Sequence, residues 1–102
     1  MQEEVSRAST VRIREDAIFR KLEGEAVVLN LATGTYYGLD PVGTRIWELI
    51  QEQGRADAVL EAILHEYEVE PARCEQDLLL LLRKLYAKGL IELIDGKTQE
   101  AS

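Results

Sequence analysis

The segment Thr33-Gly34-Thr35-Tyr36-Tyr37-Gly38-Leu39-Asp40-Pro41-Val42-Gly43-Thr44-Arg45-Ile46-Trp47 decides the fold, because the chain changes texture inside it. Up to Leu39 the β-branched and aromatic residues follow the period of two that marks a strand; beyond Asp40 the period becomes 3.6. The switch has a chemical basis. Asp40 supplies a carboxylate that can cap a helix, and Pro41 brings the φ angle that the first helical position requires. Val42, Ile46, Trp47 and Ile50 then fall on one face, and Gly54 gives a stop.

Towards the N-terminus, the strand Thr35 to Leu39 is preceded by a turn at Ala32-Thr33-Gly34 and a strand from Ala26 to Leu31. Glu23-Gly24-Glu25 reads as another turn and Ile18 to Leu22 as another strand. Loops this short imply antiparallel neighbours. Towards the C-terminus, a second helix runs from about Asp57 to Tyr67, with Val59, Leu60, Ile63, Leu64 and Tyr67 inward. Pro71 opens a third helix of about 17 residues that ends at Lys88 and Gly89. Leu90 to Leu93 is a short strand, and Asp95-Gly96 suits the turn of a small terminal hairpin. The expectation is an α+β domain: an N-terminal three-stranded antiparallel sheet, three helices and a short C-terminal strand, the last part with the outline of a winged helix-turn-helix. Residues 1–10 and 97–102 are expected to be disordered ends of a domain spanning 11–96.

Composition narrows the function. The 102 residues suit one domain, and a hydrophobic content of 46% is enough for a core. A net charge of −7 repels phosphate backbones, which counts against general nucleic-acid binding. The lone cysteine, Cys74, cannot form an internal disulfide, and the start of the chain has no apolar signal segment. The longest apolar run, Leu78 to Leu82, is far short of the ~20 residues a membrane span needs. These features describe a small, acidic, soluble cytosolic domain, either a monomer or a weak homodimer.

The third helix carries more leucine than one face can hold. At about 100° per residue, Leu78, Leu81, Leu82 and Leu85 form the core stripe, with Tyr86 extending it. Leu79 sits at the edge of that stripe and Leu80 opposite it, on the face shared by Gln76, Arg83, Lys84 and Ala87. One reading makes Leu80 an isolated surface leucine. The other makes Leu79, Leu80 and Ala87 the floor of an apolar groove edged by Gln76 and Arg83. The strand Thr35-Tyr36-Tyr37-Gly38-Leu39 supplies the missing half. It ends a meander, so its outer side leaves backbone groups unpaired, and neither proline nor charge blunts that edge. Tyr37 and Leu39 face the core and Tyr36 the other side. Such an edge either pairs with the segment Val11 to Ile13, pairs with a second copy, or accepts an extended peptide whose alternate side chains enter the groove.

No catalytic constellation emerges. His65 is the only histidine and no second metal-type ligand stands at a suitable spacing, so no metal is expected. Cys74 lies in the first turn of the third helix, where the dipole favours a thiolate, but no base is nearby and its angle puts it beside the core stripe. The glycines form no phosphate-binding or dinucleotide motif, so no cofactor is expected.

The combination of Val28-Leu29-Asn30, Thr33-Gly34-Thr35-Tyr36-Tyr37-Gly38-Leu39-Asp40, Gly43, Ile46-Trp47 and Ile50 resembles the PqqD-like leader-binding proteins, also called RiPP recognition elements. Tyr67-Glu68-Val69, Asp77-Leu78, Leu81-Leu82, Leu85 and Gly89-Leu90-Ile91 continue the match, which spans about residues 17 to 93. The Gly-Thr-Tyr-Tyr turn and strand look more like the stand-alone proteins of lasso-peptide clusters than like PqqD proper. The resemblance implies a non-catalytic adaptor that binds the leader segment of a ribosomally made precursor peptide. The leader would add as a strand to the third strand and lie against the third helix. A separate modifying enzyme would then receive it, whether a leader peptidase, a cyclase or a radical SAM enzyme. The candidate peptide-binding residues are therefore Thr35, Tyr36, Tyr37, Gly38, Gln76, Leu79, Leu80 and Arg83. The alternative is a winged-helix DNA-binding regulator reading through Arg73, Arg83, Lys84 and Lys88. Against it, residues 41–102 hold seven basic and twelve acidic groups, a net of −5.

Overall fold

A computed structural model describes residues 5–23 and 25–94. Its elements are β1 (Val11–Ile13), β2 (Ala17–Leu22), β3 (Glu25–Asn30), β4 (Tyr36–Leu39), α1 (Pro41–Gln53), α2 (Ala56–Glu66), α3 (Pro71–Ala87) and β5 (Ile91–Leu93). The α+β architecture and the antiparallel order β2-β3-β4 agree with the expectation. Asp40 caps α1 as its sequence implies: its Oδ1 accepts the Gly43 N–H at 2.7 Å, with Pro41 at the first position.

Two features at the chain ends differ from the sequence-based picture. Val11–Ile13 forms a strand that pairs antiparallel with β5, so the last strand is completed from the start of the chain. The expected hairpin turn at Asp95-Gly96 lies outside the described residues, as do 97–102. Residues 5–10 are held in place instead of fraying. Val5 is buried in the core, the Ala56 N–H donates to the Ser9 carbonyl, and Thr10 bridges to Arg55.

The core lies between the inner face of the three-stranded sheet and the three helices. Ala26 and Val28 of β3 and Leu39 of β4 point inward, and their partners in register follow the same alternation. Phe19 of β2 stacks on Trp47 of α1, with ring centroids 6.0 Å apart. Val59, Leu60 and Ile63 of α2 meet Leu78, Leu82 and Leu85 of α3, and Leu90 and Ile91 close the far end. Leu82→Ala removes a fully buried side chain from this layer, so chemical denaturation is expected to show a loss of about 2–5 kcal/mol.

A chain of charges ties three elements together over this core. Lys21 of β2 donates to Glu48 of α1 at 3.0 Å, and Arg45 of α1 donates to both Glu48 and Glu66 of α2. The Lys21 ammonium, with help from Arg45, holds the Glu48 carboxyl below its ordinary range, and Arg45 does the same for Glu66. Because both folded values are depressed, the network stabilises the fold fully above the ordinary carboxylate range. Its contribution is lost as pH falls through the depressed values. Thermal unfolding followed against pH is expected to fall on acidification through this window, and Glu66→Gln is expected to flatten the slope there.

Candidate functional site

The outer edge of β4 is open. Asn30 and Thr35 form the hydrogen-bonded pair that closes the β3–β4 turn, the Asn30 N–H donating to the Thr35 carbonyl at 2.8 Å. Alternation along the ladder then directs the N–H and C=O of Tyr37 and Leu39 towards β3. The same groups of Tyr36 and Gly38 point outward, and no backbone group among the described residues meets them. The segment Val11–Ile13, one candidate cover for this edge, is engaged with β5. The sheet's other outer strand, β2, carries Arg20 and Lys21, charges of the kind that blunt an edge. β4 has none.

Below this edge is an open cleft of about 580 Å³. Tyr37 to Asp40 form one wall and the side of α3 bearing Leu80, Leu81 and Lys84 the other, while Val42, Gly43 and Ile46 of α1 lie between them. Ile63 and Tyr67 close one end with Val69. The gap exists because β4 packs on α1, whereas α3 packs on α2 and β5. The floor is apolar, and Leu80 stays 47% exposed on its wall.

One side chain sets the spacing of the two walls. Asn30 ends β3 and is 3% exposed. Its Nδ2 donates to the carbonyls of Lys88 at 3.0 Å and Gly89 at 3.1 Å, which fixes the C-terminal end of α3 against the sheet. Its Oδ1 accepts from the N–H groups of Ala32 and Thr33, which shapes the turn leading into β4. Gly89 is required at this approach. Its φ is +72°, and a Cβ there would stand 2.8 Å from the Asn30 Nδ2.

The structure brings together only part of the set chosen from sequence. Tyr37, Gly38 and Leu80 line the cleft. Thr35 lies just before β4, its hydroxyl 2.8 Å from that of Thr33. Tyr36 belongs to the open edge through its backbone, but its ring, 68% exposed, is on the opposite face of the sheet. Gln76, Leu79 and Arg83 are outside the cleft, and so is Ala87. Leu79 packs against the core instead, while Leu81, assigned to the core stripe, borders the cleft. The reason is geometric: the buried stripe Leu78–Leu82–Leu85 has two flanks, and the flank bearing Leu81 is the one turned to β4. Sequence reasoning also missed Val42, Val69, Arg73 and Asp77. Val42, just after Pro41, and Val69, two residues before Pro71, are apolar yet more than 40% exposed, and apolar residues at the very start of a helix, where the core face is not yet established, are the signal that was available.

One thiol lies along the cleft. Cys74 borders it half-buried, and burial pushes its thiol up, with Asp77 adding to the shift, so the dipole does not produce a thiolate. Among the described residues no group of three His, Cys, Asp or Glu side chains can hold a metal ion. No described helix is long and apolar enough to cross a membrane.

A small α+β domain with a free strand edge above a helix-walled apolar cleft is thus the class in hand. The family model described as Coenzyme PQQ synthesis protein D (PqqD) matches residues 25–91, and the chain belongs to that family. Among solved structures, the chain is similar to one described as "TbiB1 in Complex with the TbiA(beta) Leader Peptide". The identity is 42% and the TM-score 0.74, covering 79% of this chain and 94% of that one. A second, "Lasso peptide synthetase B1 complexed with the leader peptide", shares the fold at 23% identity and a TM-score of 0.72, covering 81% and 98%. No curated protein sequence matches the chain.

Asn30→Ala leaves two carbonyls and two N–H groups without their partner. A loss of about 1–3 kcal/mol is expected in chemical denaturation.

Proposed function

We propose that the protein captures the leader segment of a ribosomally made precursor peptide and presents it to a separate modifying enzyme. The observation that carries this reading is the juxtaposition of the unpaired Tyr36 and Gly38 backbone groups with the apolar cleft. A guest strand hydrogen-bonded along β4 would have alternate side chains directed at Leu80, Leu81 and Ile46. Main-chain bonds set its register, and the cleft selects its apolar anchors. Burying two or three such anchors contributes roughly 4–8 kcal/mol before association costs, which corresponds to micromolar or high-nanomolar binding. The leader-bound state of the 42%-identical TbiB1 supports the same choice of guest.

In this reading the protein performs no bond chemistry. It raises the local concentration of the precursor and fixes its orientation for an enzyme such as a leader peptidase, which supplies the reactive groups. The domain that does this is taken as residues 11–96, with Val5 to Thr10 packed onto it. Nothing in the site favours the DNA-binding alternative. Arg73 lies 3.9 Å from Asp77, and Arg83 projects from a different side of α3 than Lys84.

The test is fluorescence polarisation with labelled TbiA(beta) leader peptide. Gly38 has open space around its Cα, and an edge position tolerates proline where the N–H faces out. Gly38→Pro removes one outward donor and is expected to weaken binding about fivefold to tenfold with little change in melting temperature. Leu80→Glu is expected to weaken it about tenfold or more. Full affinity in both folded variants would disprove strand addition at this edge.

A further inference from the structure

We infer that the guest segment carries an acidic side chain that pairs with Lys84 and Lys88 at the Tyr37 end of the cleft. This rests on the leader-binding reading and adds a charge requirement to it. The protein as a whole is strongly acidic, with a net charge of −7, and six of the eleven Lys and Arg side chains among the described residues are answered by a carboxylate, among them Arg12 by Glu92, Lys21 by Glu48 and Arg55 by Asp57. Lys84 and Lys88 are not among them. Of the five cations without a carboxylate in ion-pair distance, with Arg14, Arg20 and Arg83, these are the two at the cleft, Lys84 on the side of α3 facing β4 and Lys88 one turn on, at the residue that caps the helix. Lys84 borders the cleft, and the Lys88 Nζ lies 6.0 Å above the ring of Tyr37, the first β4 residue on the cleft wall.

The other charged side chains along the cleft, Arg73, Asp77 and Asp40, each have a partner of their own within the protein. Arg73 and Asp77 are 3.9 Å apart on α3. The Asp40 carboxylate is held by the Gly43 N–H at the positive end of the α1 dipole. What remains is a local positive charge at one end of an apolar trough, on a molecule that otherwise repels anions. A guest strand adding to β4 passes below these two ammonium groups and shields them from water, which strengthens pairing with a carboxylate relative to the open surface. The arrangement therefore selects both composition and register: an acidic residue must follow or precede the apolar anchors by the distance from the Leu80–Leu81 wall to Lys84.

The experiment uses the full chain and the same labelled TbiA(beta) leader in a scan, each position in turn synthesised as Glu or as Lys. At one position, Glu is expected to bind roughly tenfold more tightly than Lys, and the gap is expected to shrink as NaCl rises from about 0.05 to about 0.5 M. Lys84→Gln combined with Lys88→Gln is expected to abolish the preference. Arg83→Gln, which removes a charge from a side of α3 outside the cleft, is expected to leave it intact. Binding with no charge preference at any position, or a preference that survives the double variant, would overturn this inference and leave the leader reading standing. Absence of binding by every peptide would overturn both.

Discussion

The structure turns on the amide of Asn30. A single buried side chain uses both of its N–H groups on the end of α3 and its oxygen on the turn that launches β4. The two walls of the cleft have no other direct fastening of this kind among the described residues, since β4 rests on α1 and α3 on α2 and β5. Each polar atom of the amide is satisfied, so burying it carries little penalty, and low local dielectric makes the four bonds stiffer than they would be in water. The width of the trough is therefore a property of one residue's hydrogen-bond geometry, held by a core that packs elsewhere.

Much of the fold was legible from local pattern because the decisive signals are short-range. Asp40-Pro41 marked the start of α1, Pro71 the start of α3, and the alternation around Val28 and Leu39 the faces of the sheet. The missed strand β1 is three residues long and finds its partner in β5 about eighty residues away, so no local period announces it. The cleft was half legible. Periodicity identifies a buried stripe on α3, but Leu79 and Leu81 flank it on either side, and the pattern is blind to which flank meets the sheet. Only the packing of α3 on α2 settles that Leu81 borders the trough and Leu79 does not. Asn30 shows the opposite limit: the residue stands out in the sequence as a polar end to an apolar strand, yet its partners at Lys88 and Gly89 are tertiary.

The two outer strands of the same sheet illustrate how charge placement assigns roles. β2 carries Arg20 and Lys21 on its exposed length, and Lys21 is drawn over the core by Glu48. β4 has only Tyr36, Tyr37, Gly38 and Leu39, with no charge and no bulky group at Gly38. An edge so bare is ordinarily an aggregation hazard. Here its exposed length is four residues, and α3 rises beside it.

The ribbon formed by β1 and β5 has a separate consequence for how the domain can be housed. The Ile94 N–H donates to the Thr10 carbonyl at 2.8 Å, while Val5, ahead of the ribbon, is buried in the core. A fusion on the N-terminal side must therefore leave residues 5–13 in place, because cutting into them would uncover both the ribbon and part of the core.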